Sequence, residues 1–267
     1  MTTIKQVFQK QKQQGNGCLI GYITAGDPNP ERTPEIATAL IRGGVDILEL
    51  GLPFSDPIAD GPTIQAASLR ALKAGTTPMR VVEIAKKIKT KHDIPIVIMT
   101  YCNPVFKLGL DTFLGAAKSA GVDGFIVPDL PVEESTDYRK AAKKAKLDTI
   151  FLASPATSKN RLVRIVDASS GFLYLVSRFG VTGAQTSVAD ATIELIKKVQ
   201  QFTTGKVPLA VGFGISKPEH VKRVLSAGAD AAIVGSAFIT IIEKNCKDML
   251  KELEKTAAAL KAATKTP

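Results

Sequence analysis

The chain has 267 residues, 45% of them hydrophobic and 22% charged, with a formal net charge of +10 and no Trp. That composition excludes a disordered chain, and the longest apolar stretch, "AAIVGSAFITII", is too short and too interrupted to span a bilayer. The cations are spread along the sequence, and their densest run, "YRKAAKKAKL" from Tyr138, alternates with Ala as a solvated helix face does, so neither nucleic acid nor a membrane is an expected partner.

The opening "MTTIKQVFQKQKQQGNG" has no apolar core of a secretory signal, which points to a cytoplasmic protein. Within it "TTIKQVFQKQ" reads as a helix with a narrow apolar stripe of Ile4, Val7 and Phe8. Short β-branched runs then alternate with segments of 3.6-residue period. Strands are expected at 18–24, 46–51, 95–101, 124–129, 149–154, 172–177, 208–214 and 231–236. Helices are expected at 30–42, 63–73, 78–91, 111–120, 132–146, 159–168, 188–201, 217–227 and 238–262, several entered through residues such as Asp111 and Ser216 and left through Gly43, Gly121 or Gly228. Eight such units in about 250 residues favour a closed (β/α)8 TIM barrel over an open sheet. The whole chain, 1–267, then forms one domain, with the extra N-terminal helix plugging the barrel's N-terminal end.

Cys18, Cys102 and Cys246 are odd in number and far apart, so they are expected to be reduced packing residues. His92 and His220 are expected in polar helix-end or loop settings, without the partners that a metal site or a Ser-His-Asp triad needs.

In a barrel of this kind chemistry sits at the C-terminal ends of the strands. In "VDILELG" a period of two puts Ile47, Glu49 and Gly51 on one face and Leu48 and Leu50 on the other, so Glu49 points inward if the leucines meet the helices. Such a residue is either a buried carboxylate neutralised by a cation or a general acid/base whose pKa is lifted by apolar walls. Asp56 and Asp60 follow in a loop stiffened by Pro53, Pro57 and Pro62, where they serve as turn residues or as a second acid over the barrel mouth. Glycine-rich turns, "GVTGA", "VGFGIS" and "VGSA", end the last three strands, and a helix starts near Ser236. Backbone N–H groups there could hold a phosphate.

The segments "LELGLPFSDPIADGPTIQAA", "MTYCNPVF", "VPDLPVEES", "SRFGVTGAQ" and "VGFGISKPEHV" resemble, in the same order and across essentially the whole chain, the alpha subunit of tryptophan synthase. The resemblance implies retro-aldol cleavage of indole-3-glycerol phosphate to indole and glyceraldehyde 3-phosphate, with no metal or organic cofactor in this chain. By it Glu49 is the acid/base and Asp60 engages the indole N–H. Tyr22, Met99 and Ile126 surround the indole, and Tyr174 and Phe213 line the site. Gly183, Gly214, Gly235 and Ser236 hold the phosphate, and Thr182 meets Asp60 when its loop closes. The resemblance also implies a pyridoxal-phosphate beta subunit, docked through the loop of Pro53 and Asp56 in an alpha-beta-beta-alpha complex. Two positions depart from the pattern: Phe179, where a small residue is commonest, and Tyr22, where Phe is frequent. The alternatives are a free-standing indole-producing lyase, a subunit acting mainly as allosteric activator, and a phosphosugar isomerase on the same barrel.

Overall fold

The β-branched runs become strands that pair in parallel, each beside its neighbours in sequence. The computed structural model describes residues 1–176, 190–212, 214–244 and 246–265. Its strands are β1 (Cys18–Thr24), β2 (Ile47–Gly51), β3 (Ile96–Met99), β4 (Gly124–Ile126), β5 (Asp148–Ile150), β6 (Leu152–Ala153), β7 (Leu173–Val176), β8 (Leu209–Gly212) and β9 (Ala231–Val234). They pair in the order β5-β4-β3-β2-β1-β9-β8-β7-β6. β5 and β6 are two pieces of one expected strand, parted at Phe151, and pair with β4 and β7 respectively. The sheet therefore closes on itself as the expected barrel. Its strands are shorter than expected at their C-terminal ends: 95–101 contracts to Ile96–Met99 and 124–129 to Gly124–Ile126, where the chain leaves the ladder to build the mouth.

The surrounding helices are α1 (Ile4–Gln13), α2 (Thr33–Arg42), α3 (Pro62–Lys73), α4 (Pro78–Lys89), α5 (Cys102–Leu108), α6 (Leu110–Ser119), α7 (Thr136–Lys144), α8 (Lys159–Ala168), α9 (Asp190–Thr203), α10 (Pro218–Ser226), α11 (Ser236–Lys244) and α12 (Met249–Ala262). Three differences from expectation matter. α5 was not anticipated, the helix expected at 238–262 is two, and the one expected at 132–146 opens with a separate 3-10 turn, Val132–Glu134. None of these helices is long and apolar enough to cross a membrane.

Leu48 and Leu50 pack in the layer between sheet and helices, while Ile20, Ile47, Val97 and Ile126 fill the barrel interior. α1 plugs that interior as expected: Ile4, Val7 and Phe8 join the inner cluster, and the Phe8 and Phe172 rings lie 6.1 Å apart. Its start is secured by a capping box between Thr3 and Gln6. Of the cysteines, Cys18 is buried as expected, but Cys246 is exposed and so is not a packing residue.

Three of the helix-to-strand joints share one device. In "GGVD", "AGVD" and "AGAD" the glycine two residues before the aspartate, Gly44, Gly121 or Gly228, takes positive φ of 96°, 89° and 109°. Asp46 then donates its backbone N–H to the Leu19 carbonyl (2.9 Å) and accepts the Leu19 N–H on its carboxylate (2.7 Å). Asp123 binds Ile96 in the same two-point way (2.8 and 2.9 Å), as does Asp230 with Leu209 (2.8 and 2.8 Å). Lys261 backs Asp46 at 2.7 Å and Lys89 backs Asp123 at 3.0 Å. These clamps lie at the N-terminal face, leaving the opposite face for chemistry.

Candidate active site

Glu49 occupies the third position of β2, paired with Tyr22 of β1 on one side and Val97 of β3 on the other. It is fully buried, and neither carboxylate oxygen has a hydrogen-bond partner among the described residues. A carboxylate neutralised by a neighbouring cation is therefore not what the described residues contain. Burial, reinforced by the charge of Asp60, pushes its pKa up to about 8, so the group is a neutral acid at pH 7.

Asp60 is held differently. Tyr101, just beyond β3, donates its phenol O–H to Asp60 Oδ2 at 2.9 Å and accepts the Ala59 N–H at 3.1 Å. The Phe54 ring stacks on Tyr101 with centroids 5.2 Å apart, and Gln65 on α3 donates to the Asp60 carbonyl at 2.8 Å. Burial raises the Asp60 pKa to about 6 against the lowering effect of the Tyr101 bond, so this carboxylate is ionised at pH 7. Tyr101 was not among the residues expected in the site, although it stands in "MTYCNPVF"; it reads as the end of a strand, whereas it precedes α5. Replacing it with Phe is expected to raise the Asp60 pKa by about one pH unit, because a hydrogen bond to the charged form is lost. Carboxyl-carbon NMR titration of Tyr101→Phe checks this, and an unchanged Asp60 midpoint would refute the restraint.

Two tyrosines wall the pocket. From the level of Glu49 the Tyr22 phenol climbs along β1 until a Cβ on Gly51 would lie 2.1 Å from its oxygen, and on β7 Tyr174 rises until a Cβ on Gly212 would lie 2.4 Å from its own. Glycine is required at both strand ends by that close approach. Tyr22 also contacts Thr24 Oγ1 at 3.3 Å, and its other edge leans on Gly235, where a Cβ would lie 3.1 Å away. Both phenols are buried and shifted well up, in part by the charges of Glu49 and Asp60, so both stay neutral. Met99 and Ile126 pair across β3 and β4 and pack on the inner cluster beside them.

β8 and β9 are neighbours, and the turns that follow them open on the same face. Gly214 takes φ +73°, and no partner is found for the N–H groups of Gly214 and Ile215 among the described residues. Gly235 ends the next strand and Ser236 starts α11, whose first N–H groups lack intrahelical partners in any helix. The two turns supply the oriented donors that an anion such as a phosphate needs.

Glu49, Asp60, Tyr22, Met99, Ile126, Tyr174, Gly214, Gly235 and Ser236 thus all fall at the barrel's interior or C-terminal mouth. In the loop between β2 and α3, Pro53 is buried and Asp56 exposed. Of the two, only Asp56 reaches the surface, and Ile58, 83% exposed, stands near it in the same loop without having been singled out from the sequence. Thr182, Gly183, Phe213 and Phe179 lie outside the described residues.

The family model for the tryptophan synthase alpha chain matches residues 8–266. The tryptophan synthase alpha chain of Methanosarcina barkeri is 50% identical over 262 residues, covering 98% of this chain and 97% of that protein. That of Solibacter usitatus is 48% identical over 254 residues, covering 95% and 94%. Among solved structures, Mycobacterium tuberculosis tryptophan synthase superposes with a TM-score of 0.90 at 33% identity over 100% of both chains. The tryptophan synthase a2b2 complex of Pyrococcus furiosus, described in terms of mutual activation, gives 0.87 at 41% identity over 92% of this chain and 98% of that one.

Proposed function

The chain belongs to the tryptophan synthase alpha chain family, which cleaves indole-3-glycerol phosphate in tryptophan biosynthesis, and we propose that Glu49 and Asp60 divide the chemistry of that cleavage here. The observation that carries this division is the difference in their settings: Glu49 is fully buried with no hydrogen-bond partner among the described residues, whereas Asp60 accepts the Tyr101 O–H, so burial lifts Glu49 to about 8 and Asp60 only to about 6. At pH 7 one is a proton donor and the other an anion.

Neutral Glu49 gives its proton to the ring carbon that bears the glycerol chain, and positive charge develops at the ring nitrogen. Anionic Asp60, oriented by Tyr101, accepts the ring N–H and stabilises that charge. The Glu49 carboxylate so formed takes the proton of the glycerol hydroxyl, the carbon–carbon bond breaks, and its electron pair returns to the ring. Indole and glyceraldehyde 3-phosphate leave, with Glu49 again protonated. Tyr22, Met99, Ile126 and Tyr174 enclose the indole, while Gly214, Gly235 and Ser236 receive the phosphate. Phe213, Thr182 and Gly183 are assigned to the same pocket by the sequence resemblance alone.

A tryptophan synthase beta subunit is the partner, as in the solved complexes of the family. Docking through the loop of Pro53 and Asp56 and pyridoxal phosphate carried by that partner, not by this chain, complete the reading, as does a cytoplasmic location.

The test is the pH dependence of indole release from indole-3-glycerol phosphate by the purified chain. kcat/KM is expected to be bell-shaped, falling below about pH 6 as Asp60 is neutralised and above about pH 8 as Glu49 loses its proton. Glycerol phosphate is expected to compete with substrate. A profile flat across this range would remove the division of roles, and absence of competition would remove the phosphate assignment.

A further inference from the structure

His220 lies on α10, where a polar helix-end setting was expected, yet it is buried at 8% exposure. Its Nδ1 accepts the backbone N–H of Ser216 at 3.4 Å, which leaves Nε2 as the ring's N–H. That Nε2 is buried and has no partner among the described residues. The helix has no side-chain cap at Lys217, and His220, in its first turn, instead reaches back past the cap. This resembles the returning half of a capping box, with an imidazole in place of a carboxylate or amide.

A buried donor without an acceptor costs stability, and fold alone gives no reason to keep one. The turn that His220 ties down gives the reason. It comprises Gly214, Ile215 and Ser216; Ser216 spends its N–H on the imidazole, while the N–H groups of Gly214 and Ile215 are unpartnered among the described residues. Ile215 is 3% exposed and anchors the middle of the turn in the outer core. One side chain thus fixes the last N–H of a three-residue turn whose first two N–H groups are left for a ligand.

We propose that His220 is a positioning residue for substrate phosphate, holding the Gly214–Ser216 turn in its receiving conformation without touching the substrate. This rests on the reading of Gly214 as a phosphate contact. His220 acts on binding and not on the chemical step, because Glu49 and Asp60 stand on and after β2, three strands around the barrel from β8.

The experiment compares the full chain with His220→Leu and His220→Gln by steady-state indole release, glycerol phosphate inhibition and thermal unfolding. His220→Leu is expected to raise the KM and the glycerol phosphate Ki about fivefold, with kcat within about twofold, as loss of one ordering hydrogen bond implies. Its melting temperature is expected to hold or rise, since an Nε2–H without an acceptor among the described residues is gone. Gln, whose side-chain oxygen can accept the same N–H, is expected to restore KM and Ki. A lowered melting temperature with unchanged KM and Ki in His220→Leu would make the residue merely structural and overturn the proposal. Failure of glycerol phosphate to inhibit even the wild-type chain would instead overturn the phosphate reading beneath it.

Discussion

Glu49→Gln is expected to lower the rate of indole release by about 10²- to 10⁴-fold, the usual contribution of a positioned general acid/base. The substitution keeps length and planarity but removes the proton that Glu49 holds at pH 7 by virtue of its burial. The two carboxylate oxygens have no hydrogen-bond partner among the described residues, so the amide breaks no bond that the wild-type side chain makes there. The N–H groups proposed to receive phosphate on the turns after β8 and β9 are untouched, and KM and glycerol phosphate affinity are expected to stay within about twofold. Stopped and steady-state assays of the variant with indole-3-glycerol phosphate measure both quantities. Turnover near the wild-type rate would end the assignment of Glu49 as acid/base.

The same substitution is expected to change how stability depends on pH. Burial raises the folded-state pKa of Glu49 from an ordinary 4.5 to about 8, so between these values the folded chain holds a proton that the unfolded chain has released. The favourable contribution is complete below pH 4.5 and is lost as pH rises through 8. Each pH unit inside the window costs about 1.4 kcal/mol. Glu49→Gln abolishes this loss, and its stability relative to wild type is expected to improve by about 3 kcal/mol between pH 5 and pH 8. Urea unfolding at a series of pH values reads the difference directly. Parallel curves would mean that Glu49 is not a buried neutral acid.

Much of this site was legible because it obeys a short period. Alternation in "ILELG" sends Leu48 and Leu50 to the helices and leaves Glu49 inward, and the structure follows that parity. Parity says nothing about where a strand ends. Tyr101 reads as strand in an unbroken apolar run, but the ladder stops at Met99, and the phenol is thereby freed to hold Asp60. The break between α11 and α12 was hidden for a related reason: neither Gly nor Pro marks it, and the polar residues between Lys244 and Met249 continue the helical pattern. His220 was expected in a polar helix-end setting because Ser216, Lys217 and Glu219 precede it; only the packing of α10 shows it buried. The "AGVD" and "AGAD" joints repeat one pattern in the sequence, and "GGVD" differs by a single residue from "AGVD".

Those joints bear on the chemistry at the opposite end of the barrel. A closed sheet admits only certain staggers between adjacent strands, and a slip by one residue exchanges inward and outward side chains along the whole strand. If β2 slid by one residue against β1, Leu48 or Leu50 would occupy the level now held by Glu49, and an acid would be driven among the helices. Asp46 excludes that slip because it grips Leu19 by both its N–H and its carbonyl, an alignment that only one stagger satisfies. An aspartate at the quiet end of the molecule therefore acts as the index mark from which Glu49, the proposed acid three positions along, takes its address.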